Sequence, residues 1–144
     1  MTKLLIAIKD GGIKGVKTGA MLLKVMLPIY LLVVLLKYSP VMPWLEQVFS
    51  PLMRIFNLPP DAAIAIITGF FTDEYGCVAA MSGFSFGTAT ITTIAMVNLM
   101  AHSIPVESAI AQKIGFSATR LILFRIGMAI VAGILVGWLG GIFL

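Results

Sequence analysis

The sequence predicts an all-α integral membrane protein with about three transmembrane helices, an amphipathic interfacial helix and a re-entrant helical hairpin. Three observations predict it. Of 144 residues, 60% are hydrophobic and only 11% charged, and the mean hydropathy of +1.07 lies far above that of a soluble domain. Ten basic and six acidic side chains are too few for the polar shell a water-soluble protein of this size needs. The runs 19–38 and 111–144 are each long enough to cross about 30 Å of hydrocarbon.

The first segment, 1–18, sets Leu4, Leu5, Ile6, Ile8, Ile13 and Val16 among lysines, the pattern of a short helix lying in the membrane interface. Gly11-Gly12 should break or bend it. It carries no small-residue cleavage signature, so it reads as a retained N-terminus rather than a removable signal peptide. The first span, 19–38, reads "GAMLLKVMLPIYLLVVLLKY". Lys24 is free to snorkel near one end, Lys37-Tyr38 mark the other, and Pro28 removes a backbone donor and should kink the helix.

In the proline-punctuated stretch that follows, Leu45, Val48, Phe49, Leu52, Met53, Ile55 and Phe56 recur at helical spacing against Glu46, Gln47 and Arg54. This predicts an amphipathic interfacial helix over 43–57, broken at Pro51. Pro59-Pro60 then open another helix, with Asp61 near its positive end. That helix, "DAAIAIITGFF", is followed by Thr72-Asp73-Glu74; about eleven residues at 1.5 Å each cover roughly half a bilayer. "YGCVAAMSGFSFG" is equally short and glycine-punctuated. Together they predict a re-entrant hairpin over 60–84, whose non-helical tip survives at depth only where protein or water covers it.

A second span is predicted over 85–104 and a third over 111–144. The last carries Lys113, Arg120 and Arg125 in its first half, and Gly127, Gly133, Gly137, Gly140 and Gly141 allow close helix packing. Basic residues set the topology. Lys3, Lys9, Lys14, Lys17, Lys113 and Arg120 fall on one side and Lys37 and Arg54 on the other, which predicts the N-terminus inside and the C-terminus outside. The same lysines account for the basic pI as a topology signal and a contact with anionic lipid rather than with nucleic acid.

One cysteine, Cys77, excludes an intrachain disulfide, and one histidine, His102, excludes a His-rich or Cys/His metal site within one copy. Neither a Ser-His-Asp arrangement nor a phosphate-cradling loop is present, so no enzyme activity and no cofactor are expected.

Two features carry candidate chemistry. The first is the acidic pair Asp73 and Glu74 in the predicted hairpin. A carboxylate at membrane depth is costly unless protonated, paired or hydrated, and marks a functional site by default; adjacent acids between short helices are also what a solvated surface turn looks like. The second is a polar stripe of Ser82, Ser85, Thr88, Thr90, Thr92, Thr93, Asn98 and His102, with Ser85, Thr88 and Thr92 sharing a face and Asn98 and His102 spaced i,i+4 beside it. Such a stripe suits a ligand track or, equally, helix packing with hydroxyls bonded back to their own helix. His102 reads as an interfacial or packing residue, Cys77 as a small packing residue, and Glu107 and Gln112 as solvated loop residues. Arg120 and Arg125 either snorkel or send one guanidinium toward Asp73 and Glu74.

The layout of helix, amphipathic segment, proline-opened half-helix, glycine-rich break, hydroxyl-rich helix and arginine-bearing last helix resembles the Gate, or nucleoside-recognition, domain over residues 19–144. That domain occurs in concentrative nucleoside transporters, ferrous-iron transporter B and spore maturation proteins A and B. "LPPDAAIAIITGFFTDEYG" and "SGFSFGTATITTIAMVNLMAHSIP" carry most of the resemblance. It implies half of an inverted-repeat transporter in a bacterial or archaeal cytoplasmic membrane. As a homodimer, or with a paralogous partner, the chain would bind and translocate a small polar, nucleoside-like solute or an ion. On that reading Thr72, Asp73, Glu74, Ser82, Ser85, Thr88, Thr92 and Asn98 line the cavity, and Gly76, Gly83 and Gly87 let backbone approach the ligand. The competing readings are a non-transporting membrane interaction or assembly protein and, more weakly, a divalent metal-ion pathway using Asp73, Glu74, Cys77 and His102.

Overall fold

The computed structural model describes residues 2–143, which fold into seven helices: α1 (Thr2–Lys37), α2 (Met42–Ile55), α3 (Ala62–Phe71), α4 (Glu74–Met81), α5 (Thr88–Ala101), α6 (Ile104–Lys113) and α7 (Ala118–Phe143). Met1 and Leu144, at the ends of the predicted first and last segments, lie outside the described residues, as do the side chains at 1–5, 25 and 141–144. Three stretches are long and apolar enough to cross a membrane: Ile6–Lys37, Thr88–Lys113 and Ala118–Gly140. Leucines 27, 32 and 35 of α1 and Leu123, Phe124, Val131 and Leu135 of α7 face outward. An all-helical protein that turns so many large apolar side chains away from its own core has the bilayer as its solvent.

Two breaks expected from the sequence, at Gly11-Gly12 and at Pro51, are absent, and α1 runs unbroken through Gly11-Gly12. Each glycine costs a helix about 1 kcal/mol, which propagation from a long helix absorbs. At 36 residues the helix is about 54 Å long and outruns the hydrocarbon of a bilayer. Likewise α2 continues through Pro51, because the carbonyl that loses its partner is that of exposed Gln47.

One expected continuity is broken instead. The last span does not start at Ala111: α6 ends at Lys113 and α7 begins at Ala118. Gly115, at φ +82°, closes α6, and the N–H groups of Gly115 and Phe116 donate to the carbonyls of Gln112 and Ala111. This is the glycine-capped helix end that a residue with Cβ adopts only under strain.

The interior is built around α3. Ala62, Ala63, Ile64, Ala65 and Ile66 are all buried, so this helix is apolar on every side because it is covered on every side. Met53 and Phe56 of α2, Val33 of α1, Cys77 and Ala80 of α4 and Ile94 and Val97 of α5 complete the cluster. The broadest helix contact is between α5 and α7. Gly133 and Gly137 make it possible: a Cβ at Gly133 would sit 2.6 Å from Val97 and 2.8 Å from Phe56, and one at Gly137 would collide with the Phe56 carbonyl. The α2–α3 corner is pinned into this notch by Asn57, whose amide donates to the Gly137 carbonyl at 3.1 Å, and by Trp138, whose indole N–H donates to the Ile55 carbonyl at 3.0 Å.

Candidate functional site

Helices α3 and α4 are consecutive short helices joined at Thr72-Asp73, and α1 sets their level. Lys37 donates to the Gly83 carbonyl at 2.9 Å and lies over the Phe84 ring. A Cβ on Gly83 would meet Val33, and one on Gly76 would meet Ile29 at 3.3 Å. Ile29 is about 12 Å along α1 from Lys37 at 1.5 Å per residue. The start of α4 therefore lies about 12 Å along α1 from the Lys37–Gly83 contact, where the hairpin ends.

What the tip meets is a second discontinuity. Residues Thr88–Lys113 form one apolar stretch of span length, interrupted at His102-Ser103 between α5 and α6. Ser103 adopts a left-handed conformation, φ 47°. Its N–H donates to the Gly69 carbonyl at 3.1 Å, and its hydroxyl donates to the Thr72 carbonyl. The unpaired backbone groups of two helix ends thus satisfy each other.

Side chains extend the junction. His102 Nε2 lies 2.9 Å from Glu74 Oε1, and His102 Nδ1 lies 3.7 Å from Glu107 Oε1. Glu107 is ion-paired to Arg125 of α7, whose Nε also donates to the Met100 carbonyl at 3.0 Å. A charged chain, Glu74, His102, Glu107 and Arg125, therefore links α4, the α5–α6 break, α6 and α7. Glu107 is not a solvated loop residue, because the helix it belongs to starts at Ile104 and points it at Arg125. Nor is His102 a bland packing residue. The pattern "HSIP" held the signal: Pro105 in a first helical turn marks a helix beginning, not the end of a span.

The adjacent acids divide the work. Asp73 caps α4, accepting from the Gly76 N–H at 2.8 Å, whereas the side chain of Glu74 is about half exposed and reaches His102. Glu74, Cys77 and Asn98 line a groove of about 210 Å³ between α4 and α5. Asn98 is buried, and its Oδ1 has no hydrogen-bond partner. Gly69 has no room for a Cβ because the Asn98 amide fills that space.

The remaining residues of the predicted set lie elsewhere or are otherwise occupied. Ser82 and Ser85 line a separate groove of about 400 Å³ with Phe84 and Phe86, whose rings stack at 5.2 Å. The hydroxyls of Thr72, Ser82, Thr92 and Thr93 donate to carbonyls one turn back, at 2.7–2.9 Å. Thr88 and Gly87 are exposed where α5 begins. Gly76 accommodates Thr72 and Ile29, and Gly83 accommodates Val33. Asp61, at the start of α3, makes no capping bond.

Fold and junction together define an all-helical membrane protein in which a helical hairpin meets the break between α5 and α6. The chain belongs to the Gate family, whose model, described as nucleoside recognition, matches residues 20–120. It is 32% identical over 143 residues to YvoD, an uncharacterized membrane protein of Bacillus subtilis (strain 168), an alignment covering 98% of this chain and 45% of that protein. The chain thus spans a little under half the length of the curated relative it matches. No solved structure matches it.

Proposed function

We propose that the chain is one unit of a two-unit membrane transporter that binds a small polar, nucleoside-like solute, or an ion, at the junction between hairpin tip and broken helix. One observation carries the reading: the half-exposed carboxylate of Glu74 lines a groove with Cys77 and Asn98 beside two helix discontinuities. A carboxylate accepts hydrogen bonds and suits a solute that presents hydroxyl or amine donors, or a cation. Discontinuous helices supply such sites in transporters built from repeats. The groove is open along α4 and α5, so a second copy or a paralogous Gate unit would close it. The family description and the greater length of YvoD support this.

On this reading the hairpin is re-entrant, the N-terminus is cytoplasmic, the membrane is the cytoplasmic one of a bacterium or archaeon, and the chain catalyses no covalent reaction. Among the described residues, no three His, Cys, Asp or Glu side chains are grouped to hold a metal ion within one copy. The test is binding of nucleosides and monovalent cations to the purified chain in nanodiscs. Glu74→Ala and Asn98→Ala should abolish binding while leaving assembly intact. Solute binding unchanged in both variants would remove the site assignment, and no binding by the wild type in any assembly state would favour a non-transporting interaction protein.

A further inference from the structure

The junction has a feature that solute binding does not use. His102 stands between two carboxylates on different helices, with Nε2 at 2.9 Å from Glu74 and Nδ1 at 3.7 Å from Glu107. Its Nδ1 is buried without a hydrogen-bond partner. A neutral imidazole has a single N–H, and with that donor directed at Glu74 the other nitrogen presents a bare lone pair toward an acid. Two carboxylates against the one guanidinium of Arg125 leave the group with an excess negative charge.

The other neighbours do not correct this. From α4, Asp73 spends its carboxylate on the Gly76 N–H and Cys77 is a buried thiol. The last turn of α3 offers Thr68, whose hydroxyl bonds back to Ile64, and no titratable side chain. From α6 comes Glu107. On α7, Arg125 is committed to Glu107 and the Met100 carbonyl, while Arg120 is exposed. From α1, Ile29 meets the start of α4 beside Gly76.

We propose that His102 is a proton-binding site that latches α6 to the hairpin. Uptake of one proton at Nδ1 from solvent converts the imidazole to imidazolium, gives each carboxylate its own N–H donor and neutralises the excess charge. Charge-assisted bonds of this kind are about twice as strong as neutral ones. The moving part is α6. Ser103, left-handed and tied to Gly69 and Thr72 by bonds that do not titrate, is the hinge. Glu107, one turn further along, is the latch. Loss of the proton releases Glu107 from His102 and lets α6 pivot about Ser103 within the reach of the Glu107–Arg125 pair, which stays anchored on α7 and the Met100 carbonyl.

The proposal is independent of which solute binds, and its test uses none, so it stands or falls apart from the transport reading. Nitroxide labels go at exposed Tyr75 on α4 and Ile110 on α6, in the full chain in nanodiscs with Cys77→Ala. A short-distance population should dominate at low pH and give way to a longer or broader one as the pH rises. The chain has one histidine, so ¹⁵N spectra of the imidazole read this residue alone, and its protonation should follow the same pH course as the distance. In His102→Gln and in Glu107→Gln, which retains the Glu74 contact, the pH response should be lost. A distance that ignores pH in the wild type, a response surviving in either folded variant, or imidazole protonation without a change in distance would each overturn the latch.

Discussion

Glu74 and His102 are 28 residues apart in the chain and 2.9 Å apart in space. The carboxylate opens α4 and the imidazole closes α5, so their contact joins the start of one short helix to the end of another. Neighbouring Asp73 makes no such contact and caps its own helix.

That division separates two substitutions the sequence treats alike. Asp73→Ala should lower stability by about 1 kcal/mol through loss of the cap, with Asp73→Ser recovering most of it. Glu74→Gln should change stability by less than about 1 kcal/mol, because its side chain is half exposed, yet weaken solute binding. Denaturant titrations in detergent alongside binding isotherms check both halves; a Glu74→Gln variant that binds normally would contradict the assignment of Glu74 to the site.

Gly69 and Asn98 should be energetically coupled. A Cβ at Gly69 collides with the Asn98 amide, so Gly69→Ala is expected to cost about 1–3 kcal/mol. Removing the amide in Asn98→Ala should return most of that loss, a coupling of about 1 kcal/mol or more in a double-mutant cycle. Additive effects would show that the two helices do not touch there.

The glycines of α7 should not be equivalent. Gly137→Ala sets a Cβ against the Phe56 backbone, which has no side-chain freedom to yield, and is expected to cost about 2 kcal/mol or more. Gly127 has open space within 4 Å of where its Cβ would stand. Gly127→Ala should therefore be neutral or up to about 1 kcal/mol more stable. Thermal unfolding of the pair in one detergent reads the contrast directly.

Arg125 and Glu107 are expected to behave as a unit. Arg125 is largely buried and Glu107 partly exposed, so water relieves some of the penalty when either partner is lost. Arg125→Gln should cost about 1–3 kcal/mol, since it also abandons the Met100 carbonyl. Combined with Glu107→Gln, the loss should fall short of the sum of the single effects by about 1 kcal/mol.

By itself the sequence determined the class and most of the elements. Composition and run length reported a membrane protein, periodicity reported the amphipathic α2, and Pro59-Pro60 with the short run ending at Phe71 reported α3; hydropathy and helical spacing are local properties, legible wherever neighbours along the chain decide the outcome. Misjudged elements were those where glycine and proline admit two results: Gly11-Gly12 and Pro51 stayed inside helices, while Gly115 ended one. For the site, the sequence supplied the acids at 73 and 74 and the pair Asn98 and His102, but not their division of labour. Only the tertiary structure decided that Ser103 ties the α5–α6 break to the hairpin tip, that Asp73 is a cap and Glu74 a reaching side chain, and that Glu107 and Arg125 complete the chain from His102. The physical reason is that each of these depends on where two interrupted helices meet. An unpaired backbone group or buried charge finds its partner by proximity in space, which residue spacing along one helix does not encode.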